Sequence, residues 1–153
     1  MNYESVDPET FGASLRGMGL NLLVRDVKAQ VTFLTEIFAM TVFQPTDDFA
    51  IVGYGGQVFQ LHRDSTYHAN PLLGLLPETP PRGAGIEIRL YDTDPEIACT
   101  KAKSMNATIL QWPTDKPHGL REAYILCENG YAWVPSSRNN PCSGKSGDEQ
   151  RTV

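Results

Sequence analysis

The chain has 153 residues, 41% of them hydrophobic, with a net charge of -5 and a pI near 5.1. That is apolar enough for the core of one compact unit, and both the sign of the charge and the absence of any Lys/Arg run argue against a nucleic-acid surface. No apolar stretch approaches the roughly 18 residues of a membrane helix, the polar start MNYESVDPETFG does not read as a secretory signal, and three scattered cysteines (Cys99, Cys127, Cys142) without a CxxC spacing fit a reduced, cytoplasmic protein with no disulfide frame or zinc knuckle.

Residues 1–16 carry little pattern and are expected to form an arm or irregular lead-in. Gly17-Met18-Gly19 then opens a strand over Leu20–Arg25, with Leu20, Leu22 and Val24 on one face and Gly19, Asn21 and Leu23 on the other. Asp26 is placed to cap a helix running to about Phe38, whose Val27, Val31, Leu34 and Phe38 form one apolar stripe. Strands follow at Thr41–Gln44, Phe49–Tyr54 and Gln57–Arg63, with Gly53-Tyr54-Gly55-Gly56 supplying the turn between the last two. Residues 64–82 hold four prolines and the apolar piece Leu72–Leu76, and read as a linker whose leucines lie over a cavity or pin the loop to the core.

The pattern then restarts. Gly83-Ala84-Gly85 opens a strand over Ile86–Tyr91. Asp94-Pro95-Glu96 combines an N-cap, a proline at the first helical position and an acidic first turn, and Asn106 suits a left-handed helix end. A strand at Thr108–Gln111 leads to a hairpin, Glu122–Cys127 and Tyr131–Val134. Its Asn129-Gly130 turn tolerates positive φ, and Pro135 is expected to stop its last strand. Cys99 and Cys127 are expected in the core. Residues 137–153 are polar and expected to be a flexible tail.

GMGLNLLVRD (17–26) therefore aligns with GAGIEIRLYD (83–92), and Gly56–Leu61 with Gly130–Pro135, an internal repeat at both ends of a βαβββ module. The order predicts an α+β fold: two tandem βαβββ modules, residues 17–63 and 83–136, forming half-open mixed sheets around a cavity.

Two such modules, and a last hairpin reading HGLREAYILCENGYAW, resemble the vicinal oxygen chelate superfamily of glyoxalases, bleomycin-resistance proteins and extradiol dioxygenases. The resemblance implies a cavity between modules, paired within one chain or across a homodimer. It also implies a divalent metal held by His or Glu on first and last strands of the modules. Those positions fall at Gly19, Gly85, Gln60 and Val134, a set without a carboxylate or imidazole; a one-residue change of register brings in only His62 or Glu87. The reading is thus of a protein that binds a small organic molecule without metal or other cofactor. The alternatives are a lyase, isomerase or dioxygenase relative with a metal-free or unusual metal site, and a degenerate module with an interaction role.

Strand alternation places Asn21, Gln60, His62, Glu87 and Arg89 in the expected cavity, with Trp112 at its rim. These six are the candidate ligand-binding residues. Glu87 and Arg89 stand roughly 7 Å apart along a strand, as a solvated ion pair or as a pair that orients a ligand. His62 reads as a surface residue near a strand end or, facing inward, as an acid–base group alongside Glu87. His68 and His118 lie in loops without an evident partner. Tyr54 and Tyr124, like Trp112 and Trp133, read as core or rim aromatics or as ligand stackers.

Overall fold

The structure, a computed structural model, describes residues 1–66 and 69–139. His68, Cys142 and nearly all of the expected tail lie outside the described residues.

The first module comprises β1 (Asn21–Val24), α2 (Val27–Phe38), β2 (Thr41–Phe43), β3 (Phe49–Tyr54) and β4 (Gln57–Arg63), preceded by a short helix, α1 (Pro8–Ser14). The second comprises β5 (Glu87–Leu90), α3 (Pro95–Ser104), β6 (Thr108–Asp115), β7 (Leu120–Leu126) and β8 (Ala132–Arg138). Each forms a four-stranded mixed sheet, ordered β1-β4-β3-β2 and β5-β8-β7-β6, with the first and last strands of each module parallel. The half-open two-module architecture is the one expected.

Local chemistry sets the boundaries. The Asp26 carboxylate accepts from the Ala29 amide at 2.9 Å, and Asp94 accepts from Glu96 and Ile97 at 2.8 and 3.2 Å. Each satisfies amides that have no partner inside the helix. Ala39 (φ 53°) ends α2 in the left-handed region, and Asn106 (φ 56°) does so just past α3.

Three boundaries differ from expectation. The lead-in contains α1, whose Asp7 caps Thr10 at 2.9 Å. Strand β6 runs four residues past Gln111, to Asp115. Strand β8 passes through Pro135 to Arg138, because the missing N–H interrupts the ladder only locally: pairing to β7 skips that neighbourhood and resumes at Ser136↔Glu122. The turn before β8 also differs from a two-residue Asn-Gly loop. The Gly130 amide donates to the Cys127 carbonyl at 2.9 Å and the Cys127 amide to the Tyr131 carbonyl at 3.2 Å. Gly130, not Asn129, takes positive φ (79°), as in a turn closed by a glycine bulge. A Cβ at Gly130 would stand 2.4 Å from the Pro81 Cα, so space and φ both demand glycine.

The core lies between the sheets and their helices and is continuous across the modules. Trp133 of β8, fully buried, packs against Phe33 and Phe38 of α2 and Phe59 of β4, with centroids 5.9–6.4 Å apart. Cys99 and Cys127 are both buried and free, as expected. At the seam, the Asn129 Oδ1 accepts from the Arg25 amide at 3.0 Å, and its Nδ2 donates to Gln30 at 3.3 Å. Tyr131 donates its hydroxyl to the Leu23 carbonyl at 2.8 Å. Linker leucines Leu72 and Leu75 are exposed, while Leu73 and Leu76 are half-buried. The linker is also held by Arg82, whose guanidinium makes two 2.7 Å bonds to Asp64 and one of 3.1 Å to the Leu23 carbonyl.

Candidate functional site

Period-two alternation sends one face of each sheet to the helices and leaves the other facing away. In the first module the cross-strand register Asn21↔Gln60↔Ile51↔Phe43 defines this second face. It would be open to solvent but for residues 3–15. Phe11 is buried against it, and Tyr3 packs on both Phe11 and Phe43, with centroids at 6.1 and 5.3 Å. Gln44, held in the left-handed region at φ 47°, donates its side-chain amide to the carbonyls of Tyr3 (2.6 Å) and Val6 (3.0 Å). One side chain thus ties down residues 3 and 6, just ahead of α1.

Beneath this roof is a cavity of about 490 Å³, lined by Phe11, Gly12 and Leu15 of the N-terminal segment and by Phe49, Ile51, Gln60 and His62 of the sheet, among others. The size suits a small organic ligand. The expectation was a cavity between modules; this one is lined by the first module, the segment before it and Thr66 at the start of the linker, with no residue of the second module. His62 is 7% exposed rather than a surface residue. Its ring packs on Phe49 (5.0 Å) and its Nε2 lies 3.3 Å from the Gln60 Oε1. Burial holds its pKa below the ordinary 6.5, so the imidazole is neutral at pH 7.

The second module's corresponding face carries charge. Arg89 donates to Glu87 at 2.9 Å and, more closely, to Glu122, a carboxylate that is 2% exposed. Tyr124 donates to Glu87 at 2.7 Å. His118, which the sequence left without a partner, stands 3.4 Å from Glu122. Each group shifts its neighbours. The Tyr124 and Arg89 hydrogen bonds hold the Glu87 carboxyl below its usual range, while Glu87 pushes the Tyr124 phenol up to about 12. Burial would raise the Glu122 pKa, but Arg89 and then His118 outweigh it and leave the carboxyl depressed. Arg89 is held more firmly protonated, chiefly by Glu122.

The six candidates therefore divide. Gln60 and His62 come together in the first-module cavity. Asn21 is the ladder neighbour of Gln60 but is exposed and does not line the cavity. Glu87 and Arg89 pair on the other sheet, and Trp112 on β6 is 53% exposed. The sequence missed Phe11, Gln44 and Glu122. A signal existed for the first: Asp7-Pro8-Glu9 repeats the helix-start grammar of Asp94-Pro95-Glu96.

The helix caps also correct the internal alignment. Asp92 sits in a turn at φ 54°, and Asp94 is the true counterpart of Asp26. Counting back seven residues from each cap, Gly19 corresponds to Glu87 rather than Gly85. Ladder pairing agrees, since Asn21↔Gln60 then matches Arg89↔Val134. The positions where relatives of this fold would hold a metal are thus Gly19, Gln60, Glu87 and Val134. One carboxylate, already bonded to Arg89 and Tyr124, with an amide and two positions lacking donors does not fit a divalent ion. Among the described residues no group of three or more His, Cys, Asp or Glu is placed to hold one.

No family model and no curated protein matches the sequence. Solved structures do. A glyoxalase/bleomycin resistance protein/dioxygenase family enzyme from Burkholderia phytofirmans PsJN superposes with a TM-score of 0.65 at 16% identity, covering 78% of this chain and 96% of that one. A glyoxalase/bleomycin resistance protein/dioxygenase from Nocardioides gives 0.62 at 20% identity, covering 91% and 93%. A lactoylglutathione lyase from Agrobacterium tumefaciens gives 0.59 at 15%, covering 80% and 92%. The chain shares the fold of these glyoxalase-like structures.

Proposed function

We propose that this protein binds a small organic molecule on the open face of its first module, beneath α1, without a metal. The supporting observation is the cavity of about 490 Å³ whose polar floor is the Gln60–His62 pair. The two faces differ in readiness. On the second sheet Arg89, Glu87, Glu122 and Tyr124 already satisfy one another, whereas the first face has room for a ligand.

Gly12 provides the test. It lines the cavity, and a Cβ added there meets nothing within 4 Å, so Gly12→Phe fills the space from the roof without a clash at its root. In a ligand-observed NMR screen of a fragment library, fragments bound by the wild type are expected to lose binding to Gly12→Phe, with the circular dichroism of the two proteins alike. Fragments that bind both proteins equally would show that the cavity is not the site.

A further inference from the structure

We infer that the cavity under α1 selects uncharged, largely apolar ligands that carry a single hydrogen-bonding end, and rejects their anionic and cationic analogues. The inference rests on the reading of this cavity as the binding site, and adds the chemical class of its occupant.

Among the described residues, no Asp, Glu, Lys or Arg lines the cavity. Most of the wall is hydrocarbon or aromatic ring: Phe11, Leu15, Phe49 and Ile51 with Val6 and Pro8. Its polar functions are largely committed elsewhere. The Gln44 amide nitrogen is spent on the Tyr3 and Val6 carbonyls, and the Thr66 hydroxyl donates to the Asp48 carbonyl at 3.4 Å. What remains is the floor, where Gln60 turns its Oε1 toward His62 and its amide nitrogen makes no hydrogen bond among the described residues. A primary amide can donate and accept at once, so it matches a ligand end that does both, such as an amide or a hydroxyl.

Among the described residues, two cations flanking this face are already committed to carboxylates. Arg63 is paired with Asp48 at 3.8 Å, and Arg82 with Asp64 at 2.7 Å. The imidazole of His62 is kept neutral by burial. A charged ligand entering such a wall loses hydration without gaining a partner, which is among the larger penalties in recognition. The second sheet's face, with its own ionic network, is the opposite environment on the same chain.

Three ligands with one ring system isolate the charge: indole-3-acetamide, indole-3-acetate and tryptamine, titrated calorimetrically at pH 7 into the full chain and into the Gln60→Leu and Gly12→Phe variants. The expected result is that the amide binds, that the carboxylate and the amine bind at least about tenfold more weakly, and that Gln60→Leu weakens the amide by roughly five- to tenfold. If the carboxylate or the amine binds as tightly as the amide, and Gly12→Phe abolishes that binding, the selectivity is overturned while the site stands. If none of the three binds, or if Gly12→Phe leaves their affinities unchanged, the site itself is overturned and the selectivity with it.

Discussion

Glu122 is the residue on which the second module's open face depends. Its carboxylate is buried, and Arg89 joins it to Glu87 and Ser136, Tyr124 donates to Glu87, and His118 approaches from the solvent side. Removing its charge while keeping its shape leaves Arg89 with Glu87 as its one carboxylate partner among the described residues, so Glu122→Gln is expected to cost about 1–3 kcal/mol in urea unfolding. The sign of the pH dependence follows from the shifts. Glu87 and Glu122 titrate below 4.5 when folded. The unfolded chain therefore takes up protons first, and their stabilisation is complete at neutral pH and erodes from about pH 5 downward. His62 acts in the same direction at higher pH. Its folded pKa lies below 6.5, so protonation of the unfolded chain begins to draw stability away as pH falls through 6.5. Urea midpoints measured against pH should show a shallow decline starting near 6.5 and a steeper one below about 5. His62→Gln is expected to remove the first, and Glu122→Gln to reduce the second.

At the scale of elements, the N-terminal segment matters because it converts an exposed sheet face into a cavity. Helix α1 spans seven residues and docks through one buried aromatic, Phe11. A helix this short has little stability of its own, so its place depends on the Gln44 clamp. Gln44→Ala is expected to speed amide exchange in residues 9–14 by roughly five- to tenfold, the value of one or two hydrogen bonds, while α2 stays protected. Equal acceleration in both helices would contradict the clamp. The same feature explains what the sequence concealed. Helices α2 and α3 announce themselves through caps and apolar periodicity, and the strands through alternation. In α1 one apolar anchor gives no period to read, and its docking is purely tertiary. Strand β8 was cut short at Pro135 by a local rule that its pairing partners on both sides override. The two-residue shift between Asp92 and Asp94 was hidden by the matching Gly-x-Gly segments, and only the cap hydrogen bonds settle it.

Across the whole molecule the two modules behave as one unit because they share a core. Trp133 from the second module is enclosed by aromatics from the first, and Asn129, Tyr131 and Arg82 hydrogen-bond across the same seam. Trp133→Ala is expected to cost about 3–5 kcal/mol and to leave a single unfolding transition in calorimetry. Two separated transitions would show that the modules fold independently. The fold was legible because it is written twice in the chain; the site was only half legible, because the two copies have diverged into an ionic face and a largely apolar one. A two-dimensional NMR titration with indole-3-acetamide distinguishes these faces. Binding beneath α1 should move the side-chain amide of Gln60, the imidazole of His62 and the backbone amides of Asp7 and of residues 9–15. Shifts confined to Glu87, Arg89, Glu122 and Tyr124 would place the ligand on the second sheet and contradict the assignment.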